Sequence, residues 1–174
     1  MIVDLKPVAH LTIGAVGEPG QRVFYLQAAH EKHLITLIIE KQHALAVVYG
    51  LDDLLAELWS RFARPAPTGL PALEMGLRQP LEPLFRVGQM GLAYDEGADM
   101  VVLVVYRLGP EGEEKATGFR FWATKEQMRA LRDRALSALE GGRPMCSLCG
   151  ELIDPGGHLC PRRNGHGNSP RFDL

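Results

Sequence analysis

A chain of 174 residues that is 46% hydrophobic is long enough for one core-forming domain and an appendage. Its 19 basic and 21 acidic side chains leave a net charge of -2, without the basic excess that phosphate-backbone binders use to displace counterions, which argues against a nucleic-acid partner. The first residues lack the cationic start and apolar run of a secretory signal, and no stretch approaches the ~20 apolar residues of a membrane span, so a cytoplasmic protein without membrane contact is expected.

Ala9, Leu11 and Ile13 alternate with His10 and Thr12, and the segment runs into the turn-rich tract from Val16 to Gln21. That pattern predicts strand, turn, strand. The second strand covers Arg22 to Ala29, His30-Glu31-Lys32 forms a polar connection, and a third strand runs from His33 to Glu40, completing an antiparallel meander. From Lys41 the period lengthens. Leu45, Val48, Leu51, Leu55, Leu58 and Phe62 share a helical face that should pack on the sheet. Gly50 falls inside this pattern at a cost of about 1 kcal/mol relative to Ala, so a kink or two shorter helices fit as well as a single helix.

Five prolines and two glycines between Arg64 and Pro83 forbid sustained regular structure and imply a crossing loop. A second meander follows, with strands at Leu84 to Tyr94, Met100 to Leu108 and Thr117 to Ala123. Thr124-Lys125-Glu126-Gln127 has the spacing of a capping box. The helix it opens carries the stripe Met128, Leu131, Ala135 and Leu139 and stops at Gly141-Gly142. The expected fold is therefore α+β: two strand-strand-strand-helix units forming a mainly antiparallel sheet with helices packed on it, plus a small C-terminal zinc knuckle or ribbon. Residues 1–141 make the main domain, with an internal duplication of 8–63 and 84–140 as one reading of its order. Residues 142–167 make the metal segment and 168–174 a tail.

All three cysteines fall between Cys146 and Cys160, a clustering that suits metal ligation in a reducing compartment better than a disulfide framework. Cys146-Ser147-Leu148-Cys149-Gly150 has the form of a zinc knuckle, and the turn at Asp154-Pro155-Gly156-Gly157 returns Cys160 to it. His158 lies two residues before Cys160, on the same face of an extended segment, and is the preferred fourth ligand, with His166 as the alternative. A thioredoxin-type redox pair fits less well, because such a pair opens a helix after a strand. Four protein donors close the coordination sphere, so the expected Zn2+ is structural and supplies folding energy to a segment too short for a core. Arg143, Arg162, Arg163 and Arg171 surround this segment. They offset its thiolate charge, and the competing reading is a site for phosphate, an acidic surface or nucleic acid.

Elsewhere, Glu40 and Lys41 end a hydrophobic strand, Gln27 sits among apolar neighbours, and His10, His30, His33 and His43 lie in the same half of the chain. With Arg22 and Arg86, the residues Gln27, Glu40 and Lys41 form a candidate ligand set in a cleft between the two halves. No Ser-His-Asp order, nucleophile elbow or phosphate-binding glycine loop can be read anywhere.

Several tracts together resemble the uncharacterised bacterial family known as domain of unknown function 3090. They are Gly14-Ala15-Val16-Gly17-Glu18-Pro19-Gly20-Gln21-Arg22-Val23-Phe24-Tyr25-Leu26-Gln27-Ala28, then Glu40-Lys41, then Phe85-Arg86-Val87-Gly88. The last is Gly142-Arg143-Pro144 with Cys146-x-x-Cys149-Gly150 and Gly157-His158-x-Cys160-Pro161-Arg162-x-Asn164-Gly165. That final tract is the most specific, and its wording supports His158 over His166. Met145 departs from the small residue or proline that members often carry there. The resemblance implies no reaction. Members are typically encoded near a phosphomutase of the histidine-phosphatase kind and a protein resembling lipid kinases, which implies an accessory role in phosphoryl transfer. The expected function is a non-enzymatic zinc-containing adaptor with a protein partner. The alternatives are an enzyme or binding protein for a phosphorylated small molecule, and a nucleic-acid binder using the arginines near the zinc.

Overall fold

A computed structural model describes residues 1–62, 75–109, 117–141, 146, 148–149, 153 and 157–164. The chain divides into two units, Met1–Leu139 and Glu140–Leu174.

In the first unit the strands are β1 (Ile2–Leu5), β2 (His10–Val16), β3 (Val23–His30), β4 (His33–Ile39), β5 (Pro83–Asp95), β6 (Met100–Arg107) and β7 (Gly118–Ala123). They form one sheet in the order β1-β7-β6-β5-β4-β3-β2. Both expected meanders are present, β2-β3-β4 and β5-β6-β7, antiparallel within themselves. They meet where β5 runs parallel to β4. At the far edge β1 runs parallel to β7. Sequence reasoning missed β1: four residues are too few to show a period, and their partner lies at the other end of the unit. Asp4 holds this edge by accepting from Arg120 Nη2 at 2.8 Å and Trp122 Nε1 at 2.9 Å.

Chain length shows that this sheet is not flat. Six inter-strand steps of ~4.8 Å would separate the edges by roughly 29 Å, whereas the five steps from Leu5 to His10 reach at most about 18 Å. The edges therefore converge where that link joins them. The link also bonds to both sides, with Val8 N–H donating to Trp122 O at 2.9 Å and Ala9 N–H to Ala29 O at 2.8 Å.

Helix α1 (Lys41–Phe62) runs unbroken through Gly50. There the absence of a side chain has a packing reason, since a Cβ would stand 2.9 Å from Leu92 Cδ1. Helix α2 (Lys125–Glu140) opens with the expected capping box. Gln127 N–H donates to Thr124 Oγ1 at 3.1 Å, and Thr124 N–H donates to Gln127 Oε1 at 3.0 Å. The stripes Ala44, Val47, Val48, Leu51, Leu55, Leu58 and Met128, Leu131, Ala135, Leu139 are buried. They share one core with Ile13, Leu26, Leu37, Leu103 and Phe121 of the sheet. The helices also touch each other, Arg132 donating to both oxygens of Asp52 at 2.7 and 3.0 Å. Lys125 is buried at the α2 N-terminus. Its ammonium pairs with Asp99 and lies 5.4 Å from the rings of Phe62 and Tyr94.

The opposite face of the first meander is roofed as well. Thr12, Gln27 and Thr36 face one another across three strands and are buried. Above them passes the described part of the proline-rich connection. Thr12 Oγ1 donates to Met75 O at 2.6 Å, Gln27 Nε2 donates to Arg78 O at 2.9 Å, and Arg78 N–H donates to Gln27 Oε1 at 2.7 Å. Leu77 occupies the space over Gly14, where a Cβ would come within 2.7 Å of it. Residues 75–82 contain no helix or strand, in line with their composition, and 63–74 lie outside the described residues.

Candidate metal centre

The second unit begins at the end of α2, where Gly141 takes φ 70°. Such a left-handed residue lets the chain leave a helix without the steric cost a Cβ would bring. Four side chains then converge: the ligand atoms of Cys146, Cys149, His158 and Cys160 all lie within 4.8 Å of one another. Gly157, at φ 92°, supplies a second left-handed turn that sends His158 and Cys160 back toward the knuckle. Pro161 opens a short helix α3 (Pro161–Asn164), a position where its missing N–H costs nothing. Cys160 is 4% exposed and Cys146 9%, whereas Leu148 and Leu159, each next to a ligand, are 51% and 79% exposed. The alternative donor His166, together with Arg143 and Arg171, falls outside the described residues, while Arg162 is exposed.

Two of the separations are close to those around a tetrahedral ion. With metal–sulfur bonds of ~2.3 Å, two sulfurs on a tetrahedron stand about 3.8 Å apart, and a sulfur and an imidazole nitrogen about 3.6 Å. Cys146 Sγ lies 3.8 Å from Cys160 Sγ, and Cys149 Sγ lies 3.3 Å from His158 Nε2. A disulfide needs a sulfur separation of ~2.05 Å, and none of the three cysteines forms one. The backbone N–H groups of Cys149 and Leu148 point at the Cys146 sulfur and hold its thiol pKa down to about 6, Cys149 having the larger effect and burial opposing both. A thiolate poised in this way is the form that metals bind. The donor set and its spacing are compatible with zinc.

The other candidates named from the sequence are dispersed in role. Gln27 is 0% exposed, and its amide is engaged by Thr36 Oγ1 at 3.0 Å and by both backbone groups of Arg78. Glu40 caps α1, its carbonyl accepting from His43 and Ala44, while its carboxylate pairs with Arg86 on β5. Both partners of that pair are about half exposed, a setting worth at most ~1 kcal/mol. Lys41 begins α1 and is exposed. Arg22 Nη1 donates to Ala138 O at 2.7 Å. It places a cation at the end of α2, whose last turn carries no basic residue of its own. His10 is buried, and His30 Nδ1 lies 2.7 Å from Pro7 O.

Glu40 and Arg86 thus meet on the exposed surface, whereas Gln27 is buried beneath the connection at Arg78. A cavity in the first unit, between α1 and the β5 and β6 strands, has none of these residues in its walls. It was missed because its lining comes from three elements, and the only sequence signal was the pair of acids following Gly50 on one flank of the helix. Among the described residues no helix is long and apolar enough to cross a membrane.

Comparison with curated proteins returns no match, and comparison with solved structures returns none either. The family model described as "Protein of unknown function (DUF3090)" matches residues 3–160, covering the sheet, both long helices and all four converging side chains, and the chain belongs to that family.

Proposed function

We propose that Cys146, Cys149, His158 and Cys160 hold a structural Zn2+ and that the module built on this ion presents a rigid apolar tip to a protein partner, so that the protein acts as a non-enzymatic cytoplasmic adaptor. The convergence of four donor atoms within 4.8 Å of one another carries the reading. Four protein ligands leave no position for a water, which separates a structural ion from a hydrolytic one. Zinc in such a site cross-links a segment that has little apolar surface of its own to bury. The exposed side chains of Leu148 and Leu159, held next to the ligands, support a contact role, since apolar groups in the centre of an interface supply much of its energy.

Metal analysis of the purified protein with affinity capture from its native host tests this. Wild type should contain about one zinc per chain and retain a partner. Leu148→Asp with Leu159→Asp should keep the zinc and lose the partner, and Cys146→Ser should lose both. Protein purified without metal overturns the structural ion, and capture unaffected by the leucine changes overturns the contact role.

A further inference from the structure

The first unit holds a cavity of about 360 Å³ between α1 and the β5 and β6 strands, near the small end of the ~300–1,000 Å³ of small-molecule sites. Val47, Leu54, Leu92 and Leu103 give it apolar walls. Gly50 and Gly91 line it without side chains, and a Cβ at Gly91 would meet nothing within 4 Å. The charged groups lining it are the carboxylates of Asp53 and Glu57. They stand four residues apart on one flank of α1, a spacing at which like charges weaken a helix.

Other acids of the first unit have cationic partners: Asp52 pairs with Arg132, Glu96 with Arg61 and Asp99 with Lys125. Asp53 and Glu57 make no ion pair or hydrogen bond with any described residue. An apolar recess whose charged groups are two unneutralised carboxylates selects its ligand by charge. An anion would be repelled, and a neutral molecule would leave the two exposed carboxylates uncompensated.

We propose that this cleft binds a small organic cation with an apolar body, the ammonium between Asp53 and Glu57 and the body against Leu54 and Leu92. The site is distant in kind from the metal centre: it needs no metal, and phosphorylated molecules are excluded by its charge. The two readings therefore stand or fall separately.

The test is titration of the full-length, metal-loaded, 15N-labelled protein with three indoles of similar size: tryptamine (cationic), indole-3-acetate (anionic) and 3-methylindole (neutral). Tryptamine should shift the amide resonances of Gly50 and Gly91 and bind about tenfold more tightly than indole-3-acetate, the scale of two partly exposed charge contacts. That preference should shrink in about 0.5 M salt. Asp53→Asn with Glu57→Gln should abolish it while the remaining spectrum is unchanged. Ala46→Phe, at an exposed position on the cleft wall, should block the site without touching the core. No shift at Gly50 and Gly91, equal binding of the cationic and anionic indoles, or tryptamine shifts that survive Ala46→Phe would each overturn the proposal.

Discussion

Replacing Gln27 with Met keeps the length of the side chain and removes its amide. Three hydrogen bonds disappear: those to Thr36 Oγ1, from Arg78 N–H, and to Arg78 O. The Thr36 hydroxyl can rotate, but the two backbone groups of Arg78 lose the partner that stands in for a neighbouring strand. A typical buried hydrogen bond is worth ~1 kcal/mol net, and an orphaned backbone group costs ~1–3 kcal/mol. Partial access of water to Arg78 reduces the second figure, so Gln27→Met should destabilise the first unit by about 2–4 kcal/mol, a large fraction of a domain's ~5–15 kcal/mol. Urea unfolding measures the loss, and amide exchange at Arg78 should accelerate.

Gln27→Glu sharpens the test. Its carboxylate can still accept from Arg78 N–H but faces the Arg78 carbonyl, so the protonated form is favoured and the folded pKa rises above the unfolded ~4.3. The variant should therefore be close to wild type below that value and lose stability as pH rises through and above it. A loss under ~0.5 kcal/mol in Gln27→Met, or a pH-independent loss in Gln27→Glu, would show that the strap over Thr12, Gln27 and Thr36 is not held by this side chain.

Metal stripping or Cys146→Ser should unfold the Glu140–Leu174 unit and leave Met1–Leu139 folded, seen as loss of the low-temperature step in a calorimetric scan. The Cys146 thiol pKa of the metal-free protein is held down to about 6, so competition of protons with the metal for this sulfur should weaken apparent affinity, and speed chelator-driven release, as pH drops below that value. Thr124→Ala removes the acceptor of the Gln127 N–H and should cost about 1 kcal/mol in thermal or urea unfolding. Lys125→Met should cost roughly 1 kcal/mol, since its partner Asp99 is half exposed. The Asp99 hydrogen bond raises the Lys125 pKa above its ordinary 10.5. The pair's contribution is therefore full below that pH and lost as pH rises beyond it, closing the gap between variant and wild type.

What the sequence disclosed was whatever depended on neighbours in the chain. Thr124 and Gln127 satisfy each other three residues apart, so the start of α2 was legible. The apolar runs of β3 and β4 are joined by Glu31 and Lys32, so their pairing was too. Cys146, Cys149, His158 and Cys160 were readable because a metal site imposes spacing on residues a few positions apart. Gly50 suggested a break because propensity is a local cost, and contact with Leu92, a residue 42 positions later, outweighs it. Gln27 invited a binding role because a polar residue among apolar ones needs partners, and those partners, Arg78 above all, lie 51 residues away. The parallel pairing of β1 with Gly118 to Phe121 had no local trace at all.

The stretch between β4 and β5 supplies α1, whose buried stripe joins the shared core and whose Gly50 closes on Leu92 of β5, and the strap at Met75 to Arg78, which crosses the opposite face of the first meander. Its two ends are anchored in adjacent parallel strands, β4 before α1 and β5 after the strap. Lifting α1 therefore pulls on β4, and lifting the strap pulls on β5. Leu26 and Gln27, consecutive residues facing opposite ways, are therefore exposed to solvent by a single cooperative opening and not by two independent ones.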